Sequence, residues 1–463
     1  MALIYKIHPE ILSIVFENTK DMTDEIPSPR RGDAGIKHPV AFEVTACAVC
    51  TYFREVAFAT PSLWTTIWMR GTSDPENIAQ RLSRTGDFWL DIRIDLGVKD
   101  PAMDAAKVKS IVDNILQRSL RWRSLCLVYG CEERDDPLVM RLCSAPAPGL
   151  RRLSLTVEDI DTGDGSIINR SVSLPHIFKD GTPQLEFIRL RGFSVHLFRP
   201  PLSSVVTLHM DQTRTIGLHY STLAGILTAS PHLANLSLYG DIIGQGNWPD
   251  EQKTIDLPAL RSLRLYSISG EGYPAILKII NAPRLQSLTL KGLQGGDLED
   301  IWNIQDKARF DALKSLSLVD CDMNFWTCHR MFETFRQITT FSAVHASPEK
   351  GEAKVLENLS RGEVGGQNGA QFMPWPKLTT IRLGPEFYAK GQEATSSFVA
   401  ARREYGCPIF IVVFRVGTEQ MDGALSSRTA MGAGVEVKFC NRITWPEGSI
   451  HQDRDDTFFD LSI

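Results

Sequence analysis

No apolar stretch in the 463 residues approaches the roughly 18 needed to cross a bilayer as a helix, so no membrane span is expected. A basic excess is missing too. Lys and Arg number 50 against 55 Asp and Glu, a formal charge of −5, whereas nucleic-acid and membrane-surface binders concentrate Lys and Arg. Neither partner is expected. The start, Met1-Ala-Leu-Ile-Tyr-Lys, lacks a basic segment leading into a long apolar run, so no secretory leader is expected. Nine cysteines are scattered at 47, 50, 126, 131, 143, 321, 328, 407 and 440. An odd, unpatterned set reads as reduced thiols and places the chain in the cytoplasm or nucleus.

Catalytic signatures are equally scarce. The chain contains no G-x-S-x-G, no H-E-x-x-H and no Walker-type loop, and Gly432-Ala-Gly434 and Gly365-Gly366-Gln-Asn-Gly369 lack the flanking strand, helix and lysine of a nucleotide loop. Cys47-Ala-Val-Cys50 has redox or zinc spacing. It lies inside a helical pattern, without a strand before it or two further ligands nearby, so buried core thiols are expected. Cys328-His329 carries no cue for an activating partner. The expectation is a non-enzyme without metal or cofactor.

What the chain does contain is a recurring spelling, L-x-x-L-x-L. It occurs at Leu150/Leu153/Leu155, Leu185/Ile188/Leu190, Leu233/Leu236/Leu238, Leu260/Leu263/Leu265, Leu285/Leu288/Leu290, Leu313/Leu316/Leu318 and Leu378/Ile381/Leu383, with weaker copies at Trp122/Leu125/Leu127 and Val205/Leu208/Met210. Most copies start 25 to 28 residues apart. In an extended strand alternate side chains share a face, so the fourth and sixth positions point to a core and the third, fifth and seventh to the other side. Pro148, Pro183, Pro231, Pro258, Pro283 and Pro376 stand two residues before the first leucine, where a residue without N–H ends the preceding element. Between strands, Ser221 to Ala229 and Pro274 to Ile280 carry apolar residues three and four apart, as helices do. A unit this small cannot bury its leucines alone and must stack on its neighbours.

The period and spelling resemble the leucine-rich repeat family, which implies an α/β fold: a curved parallel sheet with outer helices. The Asn or Cys that follows the strand in that family is missing from most copies, Cys321 excepted, so an irregular solenoid over 121–390 is expected. Residues 391–463 would form a cap and tail, with a helix over Ser396–Tyr405, a strand over Ile409–Val416, a loop over Thr418–Gly434 and a solvated acidic stretch over Asp453–Asp460.

Ahead of the repeats, Pro9 and Glu10 open a short apolar helix containing Ile11, Leu12, Val15 and Phe16. A loop over 19–39 follows, then a second helical pattern from about Val40 to Ala59, then Pro61-Ser-Leu63-Trp64. Asp74–Gly86 reads as a capped helix, Leu90, Ile92 and Ile94 as a strand, and Ala102–Leu120 as a helix. Residues 69–120 would thus join two modules rigidly.

The blocks Ile7, His8, Pro9, Glu10, Ile11, Leu12, Val15, Phe16, then Val49, Cys50, Phe53, Arg54, Val56, Ala57, then Pro61, Leu63, Trp64 resemble the F-box family. Its motif reads approximately L-P-x-E-I/L-L-x-x-I-F, V-C-x-x-W/F-R-x-h-A and P-x-L-W, with h apolar. Phe53 stands where tryptophan is commoner, His8 departs from the first block, and the 19–39 insertion lengthens the motif. Together with the repeats, the arrangement is similar to large fungal families of F-box leucine-rich-repeat proteins. The resemblance implies that residues 1–68 bind a Skp-type adaptor, and through it a cullin–RING ubiquitin ligase, using Pro9, Glu10, Ile11, Leu12, Val15, Phe16, Val49, Cys50, Phe53, Pro61, Leu63 and Trp64. Trp64 and Trp68 beside Phe53 and Phe58 suit a surface buried against another protein. The alternative is a leucine-rich-repeat scaffold without ligase coupling, in which these helices only cap the first repeat.

On the other side of the strands the same register places Arg152, Arg189, Arg191, His209, Asp211, Tyr239, Arg264, Tyr266, Lys291 and Arg382. Arg pairs bidentately with carboxylate or phosphate and Tyr supplies rigid contact area. Either this concave face holds an acidic or phosphorylated segment of a protein substrate, or these are ordinary solvated strand residues.

Overall fold

The structure, a computed structural model, describes residues 6–24, 41–70, 73–96, 105–130, 137–158, 177–192, 200–211, 217–242, 254–302, 307–344, 352–360, 363–364, 371–384, 392–415, 434–440, 445–446, 456 and 458. Most of the predicted 19–39 insertion, the Gly365–Gly369 turn and most of the Thr418–Gly434 loop lie outside the described residues. The chain divides into two compact units, Met1–Ser204 and Val205–Ile463. Among the described residues no helix is long and apolar enough to cross a membrane.

The first unit opens with α1 (Pro9–Asp24), α2 (Phe42–Val49) and α3 (Thr51–Phe58), followed by a 3₁₀ turn over Pro61–Trp64. Next come β1 (Thr66–Arg70), α4 (Pro75–Arg84), β2 (Leu90–Leu96), α5 (Ala105–Leu116), β3 (Trp122–Gly130), α6 (Pro137–Ser144), β4 (Arg152–Glu158) and β5 (Phe187–Gly192). The strands pair in parallel in chain order. The register stacks Ile67, Ile92, Leu125, Leu153 and Ile188 in one row and Met69, Ile94, Leu127, Leu155 and Leu190 in the next. All ten side chains are buried.

Two expectations are corrected here. The stacked strands begin at Thr66 rather than Trp122, because β1 and β2 already supply Ile67/Met69 and Ile92/Ile94 to the same rows. α1 also runs on to Asp24, past the predicted loop start at 19. Lys20 holds that last part down by donating to the Ser62 carbonyl at 3.1 Å and to Thr65 Oγ1 at 3.4 Å.

The second unit repeats the arrangement. β6 (Thr207–Asp211), β7 (Asn235–Tyr239), the short β8 (Ile255–Asp256), β9 (Ser262–Tyr266), the short β10 (Ile280–Asn281), β11 (Ser287–Lys291), β12 (Ser315–Val319) and β13 (Thr340–Val344) come first. A two-residue hairpin pair, β14 (Glu363–Val364) and β15 (Gln371–Phe372), then precedes β16 (Thr380–Leu383), β17 (Ile411–Arg415) and β18 (Glu436–Cys440). The main strands run in parallel in the order β6, β7, β9, β11, β12, β13, β16, β17, β18. Helices over Tyr220–Thr228, Gly272–Ile279 and Gln392–Glu404 fall within a few residues of their predicted positions. This is a mixed α/β fold of stacked parallel strands, consistent with a leucine-rich-repeat-like solenoid.

Leu208, Leu236, Leu263, Leu288, Leu316, Phe341, Ile381 and Val412 form one unbroken row across that sheet, each fully buried. β13 falls in the gap of the leucine spelling: Ile338, Phe341 and Ala343 fill the three positions there. The strand-following position is also used more than the missing Asn suggested. Cys321 Sγ, buried, donates to the Leu290 and Val319 carbonyls at 3.5 and 3.4 Å. Asp241, three residues after Leu238 as Cys321 is after Leu318, accepts the backbone N–H of Ile268 at 2.9 Å and of Ser269 at 3.2 Å. A carboxylate thus bonds the turn backbone of the next repeat, as an Asn would.

Removing one member of a buried row leaves a cavity that both flanking strands line. Leu263→Ala is expected to lower stability by about 3 kcal/mol, read as a shift in the urea midpoint; a midpoint within error of the parent would contradict the buried row.

Candidate functional site

Two places concentrate the residues that the sequence singled out. The first is the helical module at the start of the first unit. Leu12 and Phe16 on α1 pack with Ala46, Val56, Ala57, Leu63 and Trp64 in one buried cluster, with Phe42, Cys47, Tyr52 and Phe53 against its edge. Phe16 meets Phe42 and Phe53 edge-on, with ring centroids 5.7 and 5.2 Å apart. Trp64 donates its indole N–H to the Ala57 carbonyl at 2.8 Å. The predicted single helix of 40–59 is broken at Cys50, whose extended backbone lets its Sγ cap α3 by accepting Phe53 N–H at 3.4 Å. Tyr52 Oη donates to the Ile7 carbonyl at 2.5 Å and closes the module's other end.

The twelve residues assigned to adaptor binding therefore separate into two sets. Leu12, Phe16, Leu63 and Trp64 are interior, and Cys50, Phe53 and Pro61 are half-buried. The first four build the module's interior, and the half-buried three keep part of their surface outward. Pro9, Glu10, Ile11, Val15 and Val49 are exposed. Ile14 and Val44, which the motif comparison passed over, are exposed with them. Spacing alone finds Ile14: Ile14 and Val15 sit three and four residues after Ile11, one stripe of a helix.

Of the aromatics expected to face a partner, Trp64 is interior, Phe53 and Trp68 are half-buried and Phe58 is exposed. Phe58 and Trp64 lie 5.8 Å apart with the Arg84 guanidinium over both rings, at 4.0 and 4.5 Å. Trp68 stacks under Arg70 at 4.3 Å. Glu43, buried on α2, pairs with Arg81 of α4, which ties the helices to the first repeat. Burial raises the Cys47 thiol pKa, the opposite of what a reactive thiolate needs.

The second place is the face opposite the leucine rows in the second unit. Here the register aligns His209, Ser237, Arg264, Thr289, Ser317, Ser342 and Arg382 on adjacent strands. Next to them run Asp211, Tyr239, Tyr266, Lys291 and Val319. This face is not solvated. Arg264 is 1% and His209 0% exposed, and Lys291 is buried as well. In the first unit Arg189 is buried too, whereas Arg152 and Arg191, like Tyr239, Tyr266 and Arg382, are half-buried. The reading of these positions as ordinary solvated residues is therefore overturned for Arg189, His209, Arg264 and Lys291.

What covers Arg264 comes from the end of the chain. Its Nη1 and Nη2 donate to the two carboxylate oxygens of Asp456 at 2.7 and 2.9 Å, across 192 residues of sequence. Its Nε donates to Ser237 Oγ at 2.7 Å, and Nη2 reaches His209 Nδ1 at 3.0 Å. A guanidinium has no acceptor, so Nδ1 carries the lone pair and the imidazole proton sits on Nε2. The same guanidinium lies over the rings of Trp445 at 4.2 Å and Phe458 at 4.6 Å. Lys291 Nζ lies 5.5 to 5.9 Å from the ring centroids of Tyr239, Tyr266 and Phe458. Trp445, Phe458 and Val319 form a small buried cluster with both tyrosines against it. The acidic stretch expected to be solvated thus supplies Asp456, whose side chain is 13% exposed, and Phe458, which is buried. No local pattern marks either residue, because the contact that defines them lies almost two hundred positions away.

Chemically, one guanidinium fork and a ring of aromatics here hold a carboxylate of the same chain. Arg264→Met would leave the Asp456 carboxylate without its partner in a largely desolvated setting. A loss of about 3 kcal/mol is expected, and Arg264→Met/Asp456→Leu should recover most of it, because no lone charge then remains. Equal destabilisation of single and double variants in guanidinium melts would show that the pair is not the source.

No family model matches the chain, and no curated protein matches it. Among solved structures, it is similar to a Bacteroides fragilis protein solved as a structural-genomics target, at 14% identity and a TM-score of 0.32, over 68% of this chain and 74% of that one.

Proposed function

We propose that this chain is the substrate-recognition subunit of a Skp–cullin–F-box type ubiquitin ligase, with α1–α3 docking on a Skp-type adaptor and the repeats holding a protein substrate. One observation carries the reading. A helical module with its own closed core leaves Ile11, Ile14, Val15 and Val49 each at least half exposed. Apolar surface kept in contact with water costs about 25 cal/mol per Å², and a cluster of it on one small module is the mark of a surface that another protein covers. The choice of partner rests on the resemblance of residues 7–16, 49–57 and 61–64 to the F-box motif. The chain makes and breaks no bond in this role, and it needs no cofactor. It raises the effective concentration of a substrate lysine beside the conjugating enzyme, working in the cytoplasm or nucleus.

A scaffold without ligase coupling is the second reading. The enclosure of Leu12, Phe16, Leu63 and Trp64, with β1 following directly, is what a terminal cap on a repeat array would also have. The two readings part on exposed residues. Ile11→Asp combined with Val15→Asp should leave the melting temperature unchanged within about 2 °C, since both side chains already face water. It should weaken binding to a purified Skp-type adaptor at least tenfold, about 1.4 kcal/mol. A wild-type chain that does not bind the adaptor leaves the scaffold as the function.

A further inference from the structure

We propose that the strand face carrying His209, Ser237, Arg264 and Lys291 is a binding site for a segment with a carboxylate two residues before an aromatic ring. The chain's own Asp456 and Phe458 are its resident occupant, and a partner protein presenting the same pair displaces them. This narrows the substrate class and rests on the repeats being the recognition surface; it does not depend on coupling to a ligase.

Three observations support it. First, the receptor side is formed by adjacent strands of a rigid sheet, His209 on β6, Ser237 on β7, Arg264 on β9 and Lys291 on β11. Sites on strands hold their geometry better than sites on loops. Ser237 and His209 fix the guanidinium plane through Nε and Nη2, which aims the remaining edge at a carboxylate in the bidentate geometry that Arg favours.

Second, the occupant is recognised through its side chains. Asp456 supplies both oxygens to Arg264 and also accepts the Phe458 N–H at 3.0 Å. This local bond sets the spacing between carboxylate and ring. The Phe458 ring then lies 4.6 Å from the Arg264 guanidinium and 5.8 Å from the Tyr239 ring. A short segment can carry all of these features, so the same contacts are available to a peptide in trans.

Third, charge and composition match. The Asp456 carboxylate meets a face whose strand residues include the cations Arg264 and Lys291. Arg, Tyr and Trp are the side chains that concentrate binding energy at protein interfaces. As a purely structural device a buried ion pair adds little over apolar residues of the same volume, whereas as a recognition device it selects one chemistry.

The probe is a fluorescein-labelled synthetic peptide of residues 450–463, titrated by anisotropy into the full-length chain and into full-length Asp456→Asn/Phe458→Ala, whose own segment no longer competes. The variant is expected to bind the peptide at least tenfold more tightly than wild type. Asp456→Asn within the peptide, or Arg264→Lys added to the variant, should weaken that binding at least tenfold, and a scrambled peptide of equal charge should not bind. Equal binding to wild type and variant, no binding to a variant with unchanged circular dichroism, or equal binding of the scrambled peptide would overturn the proposal. So would a variant that cannot fold, because the segment would then be an inseparable part of the core. The milder Phe458→Leu, in which a branched apolar side chain replaces the ring, should fold and show an intermediate gain. The assay contains no adaptor, so its failure leaves the ligase reading untouched.

Discussion

Register between neighbouring parallel strands is the constraint from which the rest of this molecule follows. In the second unit the fourth and sixth positions of each repeat lie directly beside their counterparts, as in Leu236 beside Leu263 beside Leu288. A slip of one residue on any strand would turn its whole apolar set to the opposite face. Each fully buried leucine contributes roughly 2 kcal/mol, so the cost of a slip is several kcal/mol per strand. That cost makes the opposite face as well ordered as the core. Ser237, Arg264 and Thr289 are aligned because Leu236, Leu263 and Leu288 are.

The ordered face brings cationic side chains close together, and the physical question is how they are kept stable out of water. Arg264 is 1% exposed, and an isolated buried charge would be intolerable. Asp456 neutralises it through two hydrogen bonds, Ser237 and His209 take two more, and the rings of Trp445 and Phe458 accept the guanidinium face. Arg402, also fully buried, is handled differently. It donates to the carbonyls of Pro374, Trp375 and Cys407, and burial lowers its pKa to about 10. The first arginine is met by side chains that another segment could also supply, the second by backbone carbonyls of its own surroundings. On the proposal made above, that difference would separate a recognition site from a structural brace.

The helical module illustrates how one short helix serves two surfaces. α1 carries Leu12 and Phe16 toward the cluster with Trp64, while Ile11, Ile14 and Val15 remain on its other side. Here the inward half is satisfied by the module and the outward half is not. Lys20 and Tyr52 fasten the two ends of α1 through the carbonyls of Ser62 and Ile7, so the outward stripe is presented on a fixed support.

The sequence by itself determined the repeat. The leucine spacing assigns the inward rows and the parallel pairing, and apolar residues three and four apart assign the helices at Tyr220–Thr228 and Gly272–Ile279, because period and alternation are local consequences of backbone geometry. It also located the face that holds Arg264, His209 and Lys291, since alternate residues must point there. Local pattern could not find β1 and β13, where Ile67, Met69, Phe341 and Ala343 take the leucine positions without spelling the motif. Nor could it sort Leu12, Phe16, Leu63 and Trp64 from Ile11 and Val15, because an apolar residue reads the same whether it is enclosed or exposed. Only the tertiary structure decided what covers the strand face. The pairing of Arg264 with Asp456 joins residues 192 apart, and a contact of that range depends on where the folded chain returns, which no window of sequence encodes.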